Sequence, residues 1–385
     1  MEFIIWGVTP LGKYLVNKVM YSHKRFKPVA FVDNNPELWG TVAEGIDIIS
    51  YQELLNRKNL QNIRILLAIK DARSIFQILG QMENTLVANI GIVNPRVMFS
   101  EVSIDLSESK EILWSVHEGK RYRIIPRIEV NLIDACNLKC KGCTHFSSIY
   151  EKSSVYPLTE YKRDLLQLRK VGGMLRLRLL GGEPFLLGNL DEYITIAREI
   201  FPEADIEIVT NGLLIPEIDE RLLLAIKTNH VSVTVTPYQP TLMKKEKIVE
   251  CLEEHGIVWH FEGEEISEFF RSLTLQNTHN AEKSNKECLS AGCAFLRKGK
   301  LYKCPLDGLV NDFYHYYGLE RRHESGMDIY QEPEVLYEKL IDYALKPVEM
   351  CRYCAEKPER IPWMVKADPI LHDWLFKDGV EEGNT

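Results

Sequence analysis

The stretch Asn131-Leu-Ile-Asp-Ala-Cys136-Asn-Leu-Lys-Cys140-Lys-Gly-Cys143-Thr-His-Phe146 decides the fold. It grows out of the run Arg127–Ile133, in which Ile128, Val130 and Leu132 alternate with polar neighbours, the period-two signature of a half-buried strand. The first cysteine therefore follows a strand end, and three thiols are spread over a loop of eight residues. Three thiolates can ligate three irons of a cubane and leave the fourth iron open to an exogenous ligand. The same residues admit a second reading, a zinc site of three thiolates completed by His145.

Working outward, helices and strands alternate downstream of this loop. Helix-like periodicity over Glu160–Lys170, Leu190–Ile200, Asp219–Lys227 and Leu242–His255 separates strand-like runs at Leu175–Leu180, Ile206–Val209, Val231–Thr236 and Val258–Glu262. Repeated βα units with right-handed crossovers predict a parallel sheet or open barrel over residues 122–285. Upstream, residues 1–98 read as a Rossmann-like α/β domain. It has strand Phe3–Trp6, a turn from Gly7 to Gly12, an amphipathic helix to about Tyr21, and strand Val29–Val32 closed by Asp33. Strands Ile63–Ala68 and Ala88–Val93, around helix Ala72–Gln81, extend it. Residues 99–121 are charged and read as a linker, while residues 286–385 break the βα rhythm and read as a small C-terminal domain and tail.

Composition narrows the function classes. A hydrophobic content of 45% and a charged content of 26% are those of a globular protein. No apolar run reaches membrane-spanning length, and the first residues lack the pattern of a signal peptide, so a cytoplasmic protein is expected. A formal net charge of −8 argues against a phosphate-neutralising surface and hence against nucleic acid. Of nine cysteines, eight fall in three short stretches and Cys251 stands alone, which in a reducing compartment points to metal ligation rather than disulfides.

Three further motifs carry chemistry. Gly181-Gly182-Glu183-Pro184 closes one strand; its glycines let backbone approach a ligand, and its acid can accept hydrogen bonds from an ammonium group. Thr210-Asn211-Gly212 closes the next, with an ordinary loop start as the plainer reading. Further on, Cys288 is followed by ten residues, Gly299, four residues and Cys304, and a CxxC pair comes at Cys351 and Cys354. Four thiolates complete a cubane's coordination; a four-cysteine zinc ribbon is the alternative. Cys293 fits as an alternative ligand, a hydrogen-atom donor or a packed thiol, and Cys251 as a core residue or a second donor. In the N-terminal unit, Gly7 to Gly12 can present backbone N–H groups to a phosphate, and Asp33 sits where a Rossmann acid meets a ribose hydroxyl. The full GxGxxG is absent, and a structural or oligomerising unit is the other reading.

The CxxxCxxC loop of Cys136, Cys140 and Cys143, with GGEP and TNG at later strand ends, resembles the radical S-adenosylmethionine (SAM) superfamily over about residues 122–270. The resemblance implies a partial (β/α)6 barrel in which SAM chelates the open iron of a [4Fe–4S] cluster. One electron, from a flavodoxin- or ferredoxin-type donor, then cleaves SAM to a 5′-deoxyadenosyl radical that abstracts hydrogen from substrate. It implies SAM contacts at Gly181, Gly182, Glu183 and Pro184 for the amino group, and at Thr210, Asn211 and Gly212 for ribose and carboxylate. The family often places an aromatic residue before the third cysteine; here that position is Gly142, which leaves Phe146 as the aromatic expected at adenine. The C-terminal cysteines resemble the SPASM or twitch module, which implies a second, auxiliary [4Fe–4S] cluster on Cys288, Cys304, Cys351 and Cys354. The N-terminal unit is similar to the Rossmann-like domain of sugar O-acyltransferases. Together these imply a small-molecule substrate such as a sugar, aminocyclitol or nucleotide-linked sugar, undergoing dehydrogenation, epimerisation or elimination. Peptide modification is the enzymatic alternative, and a zinc-bound scaffold the non-catalytic one.

Overall fold

The computed structural model describes residues 1–20, 25–85, 87, 89–99, 111–150, 154–320 and 326–377, so residues 100–110 of the expected linker and the last eight residues of the tail lie outside the described residues. The chain is α/β and divides into two units.

The first unit comprises Met1–Pro126 with Val171–Arg176 and Glu203–Asp205. Its strands are β1 (Glu2–Trp6), β2 (Lys27–Val32), β3 (Val42–Ala43), β4 (Ile46–Ile49), β5 (Arg64–Leu67), β6 (Asn89–Val93), β7 (Ile112–His117) and β8 (Lys120–Arg121). They form one sheet in the order β3-β4-β2-β1-β5-β6-β7-β8. Pairing is parallel at β4–β2, β2–β1, β1–β5 and β5–β6. In β1, Ile4 and Trp6 join one core while Phe3 and Ile5 join the other, so a nearly continuous apolar run is covered on both faces. The linker reading of 99–121 is corrected over its second half: β7 and β8 are antiparallel strands at one edge of this sheet. Ile112, Leu113 and Val116 are buried there, a short apolar pattern that the charged run before it masks in the sequence.

The second unit comprises Arg127–Lys170, Leu177–Pro202 and the residues from Ile206 on. Here β9 (Ile124–Ile133), β10 (Gly173–Gly181), β11 (Asp205–Thr210), β12 (Ser232–Val235) and β13 (Trp259–Phe261) lie side by side in chain order. Helices Leu158–Val171, Leu190–Ile200 and Glu220–Thr228 separate the first four strands. The helix expected over Leu242–His255 is two, Gln239–Met243 and Lys245–Glu254, the first begun by Pro240 at its amino end. The sheet is open rather than closed into a full barrel. Strand β14 (Glu268–Leu273) pairs elsewhere, with the later β18 (Cys354–Pro362).

On the other side of β9 the sheet continues through β15 (Phe295–Arg297), β16 (Lys300–Tyr302) and β17 (Met327–Asp328). Strands β15 and β16 form a hairpin whose two-residue turn, Lys298-Gly299, has positive φ at both positions. Residues from 286 onward were expected as a separate small domain. Instead they share sheet and core with the barrel, because β15 pairs with β9 and Phe146, Leu180, Phe295, Phe313 and Trp374 pack in one cluster.

Candidate active site

The carboxyl ends of five neighbouring strands supply the walls of one cavity of about 350 Å³. Cys136, Cys140 and Cys143 come from the loop after β9, Gly181 and Gly182 from the end of β10, and Thr210 and Asn211 from the end of β11. Thr236 follows β12 and Glu262 follows β13. This is where βα sheets gather ligands, since loops diverge there around a rigid scaffold. Alternation along β10 and β11 places Arg178 and Glu207 on the same face as the wall residues Leu180 and Val209. Arg178 bridges Glu129 at 2.8 Å and Glu207 at 2.9 Å.

The three motifs are stitched together by backbone. Gly182 N–H donates to Ile133 O at 2.7 Å and Glu183 N–H to Ala135 O at 2.9 Å, which pins the glycine turn beside Cys136. A Cβ on Gly181 would stand 2.3 Å from Ile133 O, and one on Gly182 1.9 Å from Ala135 O, so only glycine permits the approach. Glu183 is fully buried. Its carboxylate accepts from Phe185 N–H at 3.1 Å, Asn211 N–H at 2.9 Å and Thr210 Oγ1 at 2.8 Å. Burial pushes its carboxyl up to about 7 against the pull of those donors. Its oxygens thereby tie the GGEP turn to the TNG turn. Pro184 and Gly212 likewise lie outside the cavity wall, and Gly212 has a φ of 78° with Val235 packed against it.

The cysteine loop is held from the C-terminal side. Cys140 forms an antiparallel bridge with Val365, Lys141 N–H donates to Met364 O at 2.9 Å, and Lys366 N–H donates to Lys139 O at 2.7 Å. Trp374 Nε1 donates to Cys143 O at 2.8 Å. Burial pushes the Cys136 and Cys140 thiols up to about 12. Protein surroundings alone thus keep them neutral, and a bound cation is what would make them thiolates, which suits a metal-ligating role. His145 lines the same cavity, and burial pushes its imidazole down. Among the described residues no three His, Cys, Asp or Glu side chains are gathered around a single-ion site.

Phe146 does not face the cavity. It is fully buried, stacked on Phe313 with ring centroids 4.7 Å apart and close to Trp374. Its adenine role is corrected to a core role, and Gly142 explains why no aromatic precedes Cys143. That glycine has a φ of 71°, and a Cβ on it would stand 2.9 Å from Ile361 and 3.1 Å from Asp373 O. Phe146→Ala is expected to lower unfolding free energy by about 3–5 kcal/mol, read by denaturant titration, because it empties the centre of an aromatic cluster. Unchanged stability would return Phe146 to the ligand.

The second thiol set also converges. Cys288, Cys304, Cys351 and Cys354 all line one cavity of about 100 Å³, separate from the first but sharing Thr144, Phe270, Leu289 and Ser290 as walls. Burial raises the Cys304, Cys351 and Cys354 thiols. Cys293 lines neither cavity; it is buried beside Arg127, which donates to its Sγ. Cys251 lies on helix Lys245–Glu254 with its Sγ donating to Ile215 O at 3.5 Å. Cys293 thus stands against Arg127 and Cys251 on a helix, both away from the two cavity walls.

In the first unit, the carboxylate of Asp33 accepts Val8 N–H at 3.0 Å and Asn35 N–H at 2.9 Å, and Thr9 Oγ1 accepts Gly12 N–H at 3.1 Å. These contacts hold the turn together. Sequence reasoning missed Thr236, Tyr238, Glu262 and Phe269 on the cavity wall. Thr236 and Glu262 each stand one residue past a strand end, the rule that found the other motifs, and were within its reach.

The chain is 33% identical over 101 residues to GTP 3′,8-cyclase of Alkaliphilus oremlandii (strain OhILAs), covering 26% of this chain and 32% of that protein. It is 32% identical over 108 residues to that of Syntrophomonas wolfei, covering 28% and 33%. The chain thus spans about a third of the length of the curated relatives it matches. Among solved structures it is similar to BtrN in complex with AdoMet and 2-DOIA, at 18% identity and a TM-score of 0.38 over 60% of this chain and 95% of that one. It is also similar to Streptococcus suis SuiB bound to precursor peptide SuiA, at 15% identity and a TM-score of 0.30 over 49% and 45%. Residues 130–254 match the family described as the radical SAM superfamily.

Proposed function

We propose that the chain reductively cleaves SAM and uses the resulting radical to abstract hydrogen from a small hydroxyl-bearing substrate, a sugar, aminocyclitol or nucleotide-linked sugar. The observation that carries this is the convergence of Cys136, Cys140 and Cys143 with Gly181, Gly182, Thr210 and Asn211 on one cavity. When bound there, a [4Fe–4S] cluster with SAM supplies the one-electron cleavage that generates the 5′-deoxyadenosyl radical.

On this reading the chain's own residues position and enclose. The three thiols would hold three irons, and the backbone of Gly181 and Gly182 would admit the methionine end of SAM. Glu183 keeps the Asn211 turn in register with that backbone. His145 Nε2 and Ser147 Oγ, buried atoms of wall residues without a hydrogen-bond partner, are available to substrate hydroxyls. The relatives' name specifies a nucleotide, which favours the nucleotide-linked member of the substrate set.

We assign Cys288, Cys304, Cys351 and Cys354 to an auxiliary [4Fe–4S] cluster. What supports this is that all four line one cavity. Residues 122–285 would then carry SAM and residues 286–385 supply the auxiliary-cluster thiols, the two joined in one sheet through β9 and β15. A flavodoxin- or ferredoxin-type protein supplies electrons, in a reducing cytoplasm. Among the described residues no helix is long and apolar enough to cross a membrane.

Anaerobically reconstituted protein is expected to carry about eight iron and eight sulfide per chain. With dithionite it is expected to convert SAM to 5′-deoxyadenosine, and deuterium from a carbinol-labelled nucleotide sugar is expected in that product. Deuterium arriving only from peptides would move the assignment to peptide modification. Zinc content without SAM cleavage would leave a scaffold.

A further inference from the structure

We infer that Trp363 sets the reduction potential of the cluster held by the Cys136 loop, through an indole N–H···S bond to Cys140. The inference rests on the proposed function, because only a bound cluster has a potential to set.

Trp363 Nε1 lies 3.3 Å from Cys140 Sγ, within range for donation to sulfur. The indole is held on its face by Tyr238, a cavity-wall residue, with ring centroids 5.0 Å apart and planes 16° from parallel. Its backbone is held as well. Trp363 N–H donates to Ser267 O at 2.8 Å, and the residue follows directly on β18, which pairs with β14 through Pro362 opposite Glu268. The next residues, Met364 to Lys366, make the backbone bonds to Lys139 and Lys141 that fix the loop itself. Donor and sulfur therefore sit in one rigid frame, and the bond is made without reorganisation.

A hydrogen bond to a ligating sulfur draws electron density from the thiolate, so it stabilises the reduced, more electron-rich cluster over the oxidised one and raises the potential. The half-buried position lowers the local dielectric and so strengthens the bond. Cys136 receives its closest donor from backbone, Leu138 N–H at 3.4 Å, which no side-chain substitution removes. The Cys140 donor belongs to a side chain some 220 residues away and can be removed alone.

The test is a redox titration followed by electron paramagnetic resonance on reconstituted full-length protein, comparing wild type with Trp363→Phe. Phenylalanine keeps an aromatic face for Tyr238 and deletes the N–H. The midpoint of the loop's cluster is expected at a more negative potential, with iron per chain and the second cluster's midpoint unchanged. An unmoved midpoint at unchanged iron overturns the inference and leaves the radical SAM reading standing; a wild-type protein with no cluster signal overturns both. Should Trp363→Phe take up less iron, wild-type protein with ¹⁵N-labelled indole decides the matter. A hyperfine coupling between the reduced cluster and an indole nitrogen supports the bond, and its absence overturns it.

Discussion

Replacing Cys140 by alanine is expected to abolish 5′-deoxyadenosine formation and to halve the iron, from about eight to about four per chain. Three thiolates are the fewest that can hold a cubane with one open iron, so no redundancy remains when one is lost. The loop offers no substitute: Cys143 and Cys136 already occupy the other walls, and His145 is not gathered with them around a single-ion site. Iron and sulfide analysis with chromatography of the nucleoside product measures both effects. Cys251→Ala is the matched control, since its thiol packs against Ile215 O on a helix outside the cavity wall and its removal is expected to change neither readout. Full iron in Cys140→Ala would reject the ligand assignment.

Gly182→Ala is expected to be as damaging for a different reason. Its Cβ would stand 1.9 Å from Ala135 O, a backbone atom that cannot step aside. The end of β10 would have to leave the loop, breaking the bonds from Gly182 to Ile133 and from Glu183 to Ala135. SAM binding, followed by calorimetry, is expected to disappear, and stability to fall by about 3 kcal/mol or more, at the upper end for overpacking. Gly188→Ala provides the contrast. Nothing lies within 4 Å of its would-be Cβ, and a change within about 0.5 kcal/mol is expected. Equal behaviour of the two variants would show that the close approach at Gly182 is not what builds the site.

Helix Ala72–Gln81 and helix Leu190–Ile200 have the bounds their periodicity predicts, because each is a long amphipathic segment with local start and stop signals. Strands β7 and β8 were not legible. The partner of β7, β6, lies about twenty residues upstream beyond a charged run that reads as linker, and β8 pairs in turn with β7. Phe146 shows the limit for side chains. A sequence places it three residues after a cysteine, but only packing decides that a positive φ turns it towards Phe313 and away from the cavity.

The sequence by itself determined that thiols, glycines and a TNG turn would stand at strand ends, because strand periodicity and cysteine spacing are local properties of the chain. It also determined that two sets of thiols exist. Tertiary structure alone decided what each residue faces. It turned Glu183 inwards to join two turns, set Asp33 against the Val8 backbone, and brought Trp363 to Cys140. These are pairings over long sequence separations, fixed by the competition among buried polar groups for partners, and no local pattern encodes their outcome.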